Sequence, residues 1–262
     1  MENWTLSKAE AFERDVFREL VIETWERMGE TDAFAQVPFY KIIMNTKTEN
    51  LQELQWAFSE KYGREYFDAW KKDSEAVCWL GAFIQDVKEK NSQIDYATLN
   101  GGFIGRCEFL GVYWLSPLFN EHAVLSSCKI HNNSFDRAMF KEMSFCECDI
   151  VETGFENANI IESSFVRNEV LDSKFENCWI EKSSFCEENM GDVVFSGVRF
   201  RDVVFEDCNL EKIRFKDCLF DDVKFKTCKA FALKFEDCEY KAIEFVKCDL
   251  ECSEVPDEAL QG

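Results

Sequence analysis

The stretch that decides the fold, residues 203–227, reads VVFED-CNLEK-IRFKD-CLFDD-VKFKT. Each group of five has a large apolar residue, usually Phe, in its third position and a small or β-branched residue in its first. The other three positions are mostly polar. A period of five matches neither the 3.6-residue turn of a helix nor the two-residue alternation of a strand, so neither element would keep every Phe on one side. A four-sided coil with one group per side would.

The same period extends from residue 92 to residue 252. Central apolar residues fall at 94, 99, 104, 109, 114 and 119, and then at every multiple of five from 125 to 250, which makes 32 repeats. The break in phase places a one-residue insertion at His122. Repetition on this scale indicates a solenoid, in which stacked turns share one continuous core.

The repeat resembles that of the pentapeptide-repeat family, whose loose consensus is A(D/N)LXX. Ala97-Thr-Leu99 and Ala158-Asn-Ile160 come closest to it, and Phe replaces most of the Leu. The resemblance implies a right-handed quadrilateral β-helix with four repeats per turn, and therefore about eight turns for 32 repeats. With strands about 4.8 Å apart, the rod would be roughly 38 Å long.

The chain divides into three predicted segments: an α-helical N-terminal domain (1–91), the β-helix (92–252) and a short C-terminal tail (253–262). The fold class is thus mainly β with an α domain. Ser7 and Glu10 form a capping box for the first helix, and weaker helical patterns continue to residue 90. A helical cap would cover the open edges of the first turn. The tail is short for the dimerisation helix of the quinolone-resistance members of the family, which leaves the oligomeric state open.

Composition limits the partners. The net charge of −21, of which −13 lies between residues 92 and 254, disfavours nucleic acid and anionic membranes as direct partners. No apolar stretch reaches the roughly 18 residues needed to span a membrane, and no basic start precedes an apolar run, so we expect a cytoplasmic protein. We therefore expect the 13 cysteines to be reduced.

Many cysteines share one repeat position, the small slot before the column of central residues that includes Leu210. This slot holds Cys107, Cys128, Cys148, Asn168, Glu188, Cys208, Cys228 and Cys248. Zinc sites need ligands that converge, usually as C-x-x-C pairs or with His, and that spacing is absent. Small buried filler is the favoured interpretation. With only two His in the chain, we predict no catalytic, cofactor or metal site and no enzyme.

Glu188 stands where the register points a side chain inward, and a buried carboxylate without a partner is costly. The favoured explanation is a bulge with Gly191 that turns Glu188 to solvent. The alternative is a kink or loop at a binding site.

One side of the predicted coil is acidic. Its outward carboxylates are Glu108, Asp149, Glu152, Glu169, Asp172, Asp192, Glu211, Asp249 and Glu251. Three of these, Glu152, Asp172 and Asp192, occupy one slot in successive turns, so we expect them to stack about 4.8 Å apart. Like charges at that spacing repel. Such a ladder is either a recognition surface or a solvated surface that serves solubility.

A second outward row is apolar where the repeat expects Asp, Asn or Ser. It comprises Leu118, Met139, Trp179 and Leu219, with Ile161 nearby. An exposed apolar row usually marks a contact surface. The alternative is that the helical domain folds back over it.

We therefore expect a non-enzymatic protein-interaction module. The resemblance to the quinolone-resistance members implies an acidic DNA mimic that occupies the DNA-binding surface of gyrase or topoisomerase IV. A duplex of 38 Å carries about 22 charges, against −13 on the repeats. The alternative is a scaffold or adaptor, or a phage or bacterial effector, whose helical domain or apolar face binds a protein partner.

Overall fold

The computed structural model describes residues 83–100, 103–120 and 122–256. The predicted helical domain lies outside these residues except for its last nine positions. Within the described part of the chain, no helix is long and apolar enough to cross a membrane.

The described residues form 32 parallel strands wound into a solenoid of about eight turns, which confirms the predicted fold class. We name its four sides after the central residues of one turn: Phe205, Leu210, Phe215 and Phe220. The Phe205 side contains β1 (Phe83–Gln85), β5 (Phe103–Gly105), β9 (Val124–Ser126), β13 (Ser144–Cys146), β17 (Ser164–Val166), β21 (Ser184–Cys186), the second halves of β24 (Arg199–Glu206) and β27 (Leu219–Lys226), and β31 (Ile243–Val246). The Leu210 side contains β2 (Lys88–Lys90), β6 (Glu108–Leu110), β10 (Lys129–His131), β14 (Asp149–Val151), β18 (Glu169–Leu171), β22 (Asn189–Gly191), β25 (Asn209–Glu211), β28 (Lys229–Phe231) and β32 (Asp249–Glu251).

The other two sides complete each turn. The Phe215 side contains β3 (Gln93–Asp95), β7 (Tyr113–Leu115), β11 (Ser134–Asp136), β15 (Gly154–Glu156), β19 (Lys174–Glu176), β23 (Val194–Ser196), β26 (Arg214–Lys216) and β29 (Lys234–Glu236). The Phe220 side contains β4 (Thr98–Asn100), β8 (Leu118–Asn120), β12 (Met139–Lys141), β16 (Asn159–Ile161), β20 (Trp179–Glu181), the first halves of β24 and β27, and β30 (Glu239–Tyr240).

Each strand pairs with the strand one turn further on. Phe205 lies beside Phe225, a spacing of exactly four repeats. Ile104 instead lies beside Leu125, so that this turn is one residue longer than four repeats. The extra residue is at the corner that contains His122, as predicted.

The coil begins earlier than predicted. β1 and β2 already belong to the coil at residues 83–90, which the helical pattern assigned to the N-terminal domain. The reason is Glu89, which fills the central slot of β2 and is buried there, although a carboxylate gives no apolar signal.

Stacked aromatic rings fill the core. The Phe205 and Phe225 rings lie 4.7 Å apart and nearly parallel, while Phe215 meets Phe205 edge-on at 6.5 Å. Both arrangements are favourable for aromatic quadrupoles, worth about 0.5–1.5 kcal/mol per pair beyond area burial. The predicted inward column of Phe205, Phe225 and Phe245 is confirmed.

The small inward slots form a second internal ladder. Where such a slot holds Cys, Ser, Thr or Asn, the side chain donates to the carbonyl of the central residue on the preceding side, one turn back. Examples are Cys208 Sγ to Phe185 O at 3.2 Å, Ser163 Oγ to Phe140 O at 3.2 Å, and Asn168 Nδ2 to Phe145 O at 3.0 Å. The cysteines of this ladder are free thiols that serve as buried donors, and most of them are fully buried.

The corners adopt left-handed backbone geometry, mostly without glycine. Glu152, Asp172 and Asp192 have φ of 51°, 49° and 53°, and each backbone N–H donates to a carbonyl one turn further on. A non-glycine residue in this region is strained by roughly 1–2 kcal/mol. The inter-turn hydrogen bond offsets that strain and fixes where the corner side chain emerges.

Candidate protein interaction surface

The predicted acidic ladder exists on the corner that follows the Leu210 side. Glu152, Asp172 and Asp192 lie there on successive turns and are exposed. Successive turns are separated by about 4.8 Å, so the three carboxylates form one line along the rod.

The nine predicted acidic residues differ in their ion pairs. Glu108 forms an ion pair with Lys88 at 2.9 Å, and Lys212 lies 3.5 Å from Asp192 and 3.2 Å from Glu211. Asp149 is hydrogen-bonded to His131 Nε2 at 2.8 Å. The rest have no ion pair to any residue that the structure describes; these are Glu152, Glu169, Asp172, Asp249 and Glu251. Among these nine residues, the unpaired carboxylates of the middle turns therefore lie on β18 and at the corners that follow β14 and β18.

An apolar column runs through the same side, in the outward slot after each central residue. Val151 lies beside Leu171, and Leu171 lies beside Gly191; both side chains are partly exposed. A Cβ on Gly191 would lie only 3.0 Å from Leu171 Cδ2, so the Leu171 side chain leans over the glycine. This column was not predicted, although the alternation of Val151 and Leu171 with acidic neighbours is visible in the sequence.

The apolar row predicted on the Phe220 side is interrupted. Leu118 pairs with Met139, but Asn159 separates that pair from Trp179, and Arg199 separates Trp179 from Leu219. Ile161 lies in the adjacent outward column. The members are partly exposed, as Val151 and Leu171 are, and Trp179 Nε1 donates to Glu181 Oε2 at 3.0 Å. Whether the helical domain covers this row lies outside the described residues.

The bulge predicted at Glu188 is wrong. β22 continues in regular register, and Glu188 is only 1% exposed. Its Oε1 accepts hydrogen bonds from Asn168 N and Asn168 Nδ2, both at 3.0 Å, while Oε2 has no hydrogen-bond partner among the residues that the structure describes. Burial raises the pKa of this carboxyl from 4.5 to about 8, against a smaller opposing effect of the Asn168 bonds. Glu188 is thus a core residue in a slot that elsewhere holds donors.

The described residues contain no group of three or more His, Cys, Asp or Glu side chains arranged to hold a metal ion. Burial raises the pKa of the Cys178 thiol to about 12, so this thiol stays protonated and acts as a donor. The acceptor of the Cys178 thiol is Phe155 O, at 3.1 Å.

Part of the repeat matches a known protein family. Residues 180–255 match the family model described as "Pentapeptide repeat region". This part of the solenoid is therefore similar to pentapeptide-repeat proteins. No curated protein matches the chain.

Among solved structures, a trypsin-treated variant of QnrB1, a plasmid-mediated fluoroquinolone resistance protein, is 14% identical, with a TM-score of 0.39; the match covers 66% of this chain and 91% of that one. HetL, a pentapeptide-repeat protein involved in heterocyst differentiation regulation from the cyanobacterium Nostoc, is 12% identical, with a TM-score of 0.30 and coverage of 67% and 90%.

Proposed function

We propose that the coil is a non-enzymatic protein-interaction rod whose Leu210 side binds a basic surface of a protein partner. The observation that carries the proposal is the exposed ladder of Glu152, Asp172 and Asp192, in which Glu152 and Asp172 have no ion pair within the described residues. Like charges on neighbouring strands destabilise the coil. A basic partner would offset that repulsion and be steered to this side.

The partner that we propose is the DNA-binding surface of a DNA-handling protein such as gyrase or topoisomerase IV. Such a surface is built to receive an elongated polyanion. Residues 92–254 carry a net charge of −13, somewhat more than half of the roughly 22 charges on a duplex of similar length.

The test is a triple charge reversal, Glu152→Lys with Asp172→Lys and Asp192→Lys, in binding and gyrase supercoiling assays. We expect the triple variant to lose its binding to gyrase, while its circular dichroism spectrum shows that the coil is still folded. Binding of the unchanged protein should also weaken steeply with salt, because charges more than about 8 Å apart are largely screened at 0.15 M.

The chain offers a matched control on the diagonally opposite corner. Glu162, Asp202 and Asp222 have the same left-handed geometry, with φ of 52°, 52° and 56°. Reversal of these three carboxylates to Lys changes the net charge of the protein by the same amount as the first triple variant. We expect this control to retain most of the binding. Equal effects of the two triple variants, or no effect of the first at low salt, would refute recognition by the Leu210 side.

A further inference from the structure

The surface between the carboxylates on the Leu210 side is a flat sheet face with an apolar centre. Val151 and Leu171 occupy the outward slot after the central residue on β14 and β18, and Gly191 continues the column on β22. Glu169 stands on one flank of this column, and Glu152 and Asp172 stand on the other. We call these six residues the framed patch.

The framed patch lacks positive charge of its own. No outward position of the Leu210 side between His131 and Lys212 holds Lys or Arg. Arg167, at the preceding corner, pairs with Glu147 at 2.9 Å. An occupant must therefore combine an apolar centre with cationic groups on both flanks, because free carboxylates border the patch on both.

The dimensions fit an α-helix that lies along the rod. Successive turns present the apolar column every 4.8 Å or so, close to the helical pitch of about 5.4 Å, so residues at i, i+4 and i+7 would meet successive turns. Glu169 and Asp172 are three residues apart, which places the flanks roughly 10 Å from each other, about the diameter of a helix.

We infer that the framed patch binds a basic amphipathic helix of a partner protein, with an apolar seam over Val151 and Leu171 and with Lys or Arg on both flanks. The inference rests on the proposed function and specifies the partner's shape. Net charge disfavours two other occupants: residues 1–91 of this chain carry 12 Lys and Arg against 18 Asp and Glu, and a second copy carries −21. Foreign basic helices are complementary to the patch in both charge and periodicity.

The test measures fluorescence anisotropy with the full chain and two labelled 18-residue peptides. One peptide has Leu at i, i+4, i+7 and i+11 with flanking Lys and Arg; the other has the same composition with the Leu positions scrambled. We expect the scrambled peptide to bind at least tenfold more weakly. Val151→Thr with Leu171→Thr, which keeps strand propensity, should weaken the amphipathic peptide about tenfold and leave the scrambled one unchanged.

The matched control is Leu110→Thr, which alters the same column outside the framed patch and should change neither affinity. Equal binding of the two peptides would overturn the inference while leaving acidic recognition in place. If neither peptide binds and reversal of the acidic ladder leaves partner binding intact, both the inference and the proposed function are wrong. The circular dichroism spectrum of each variant should match that of the unchanged protein, so that a lost affinity can be assigned to the changed surface and not to unfolding.

Discussion

Replacement of Glu188 by Gln should stabilise the coil, and the gain should grow with pH. Gln is nearly isosteric with Glu and is neutral at every pH. Its oxygen can accept the two bonds that Asn168 donates to Glu188 Oε1. Its amide would replace Oε2, which has no hydrogen-bond partner within the described residues. The pattern of the neighbouring Asn168 and Cys208 side chains gives that amide the Phe165 carbonyl as its acceptor.

The magnitude follows from the carboxyl of Glu188, whose pKa is about 8 in the folded coil and 4.5 ordinarily. Because the folded pKa is the higher one, the favourable contribution is complete below about pH 4.5, falls as pH rises, and is lost above about pH 8. At 1.36 kcal/mol per pKa unit, the total loss is roughly 5 kcal/mol, of which about 3 kcal/mol has occurred by pH 7.

The assay is urea unfolding of the unchanged protein and of Glu188→Gln at pH 5, 6, 7, 8 and 9. The difference in the free energy of unfolding should rise from small at pH 5 to roughly 4 kcal/mol or more at pH 8. Glu187→Gln, at the adjacent exposed corner, is the control and should show no such trend.

Carboxyl ¹³C chemical shifts give a direct second measurement. A Glu188 signal that titrates near 4.5 in the folded protein, or a stability difference that does not depend on pH, would refute the reasoning. It would mean that water or a structural change solvates the carboxylate.

Three further outcomes are expected. Phe205→Ala should reduce the free energy of unfolding by about 3–5 kcal/mol in denaturant titration, because it removes a ring from a fully stacked column; a loss well below that range would contradict the packing. Replacing Cys208 and Cys228 together by Ala should preserve partner binding, and no stoichiometric zinc should co-purify with the unchanged protein by elemental analysis. Trp179→Ala with Leu219→Ser should leave partner binding intact in the binding assay used for the triple charge reversal, whereas loss of binding would favour the scaffold alternative and recognition by the Phe220 side.

The repeat predicts the fold well because a five-residue period has one simple solution. Phe205 and its stacked neighbours lie where the spacing puts them, since each central slot faces the same core. Glu89 shows where this reasoning fails. The period continues through it, but a carboxylate in a central slot looks like the end of the repeat.

The candidate surface was predictable in part. The ladder of Glu152 and Asp172 follows from counting positions by turn. The apolar column of Val151 and Leu171 could have been found by the same counting, applied to the outward slot after each central residue. It was missed because the charges of the whole side were added together, and such a sum does not show apolar positions. Glu188 was misjudged although the slot count places it beside Asn168, because the count does not show that both the backbone and the side-chain N–H of Asn168 reach the carboxylate.

The extra residue at the His122 corner has a consequence for how such a rod can change. The spacing between paired residues grows by one in that turn and then returns to four repeats, as Ile104 beside Leu125 and Phe145 beside Phe165 show. A corner can thus absorb added length without disturbing the columns behind it. Whole turns are interchangeable units for the same reason, because each presents identical backbone donors and acceptors to the next. Gain or loss of a whole turn would lengthen or shorten the rod by one strand spacing, about 4.8 Å. Insertions at corners would instead add residues to the surface. The length of the rod and its surface can therefore change independently.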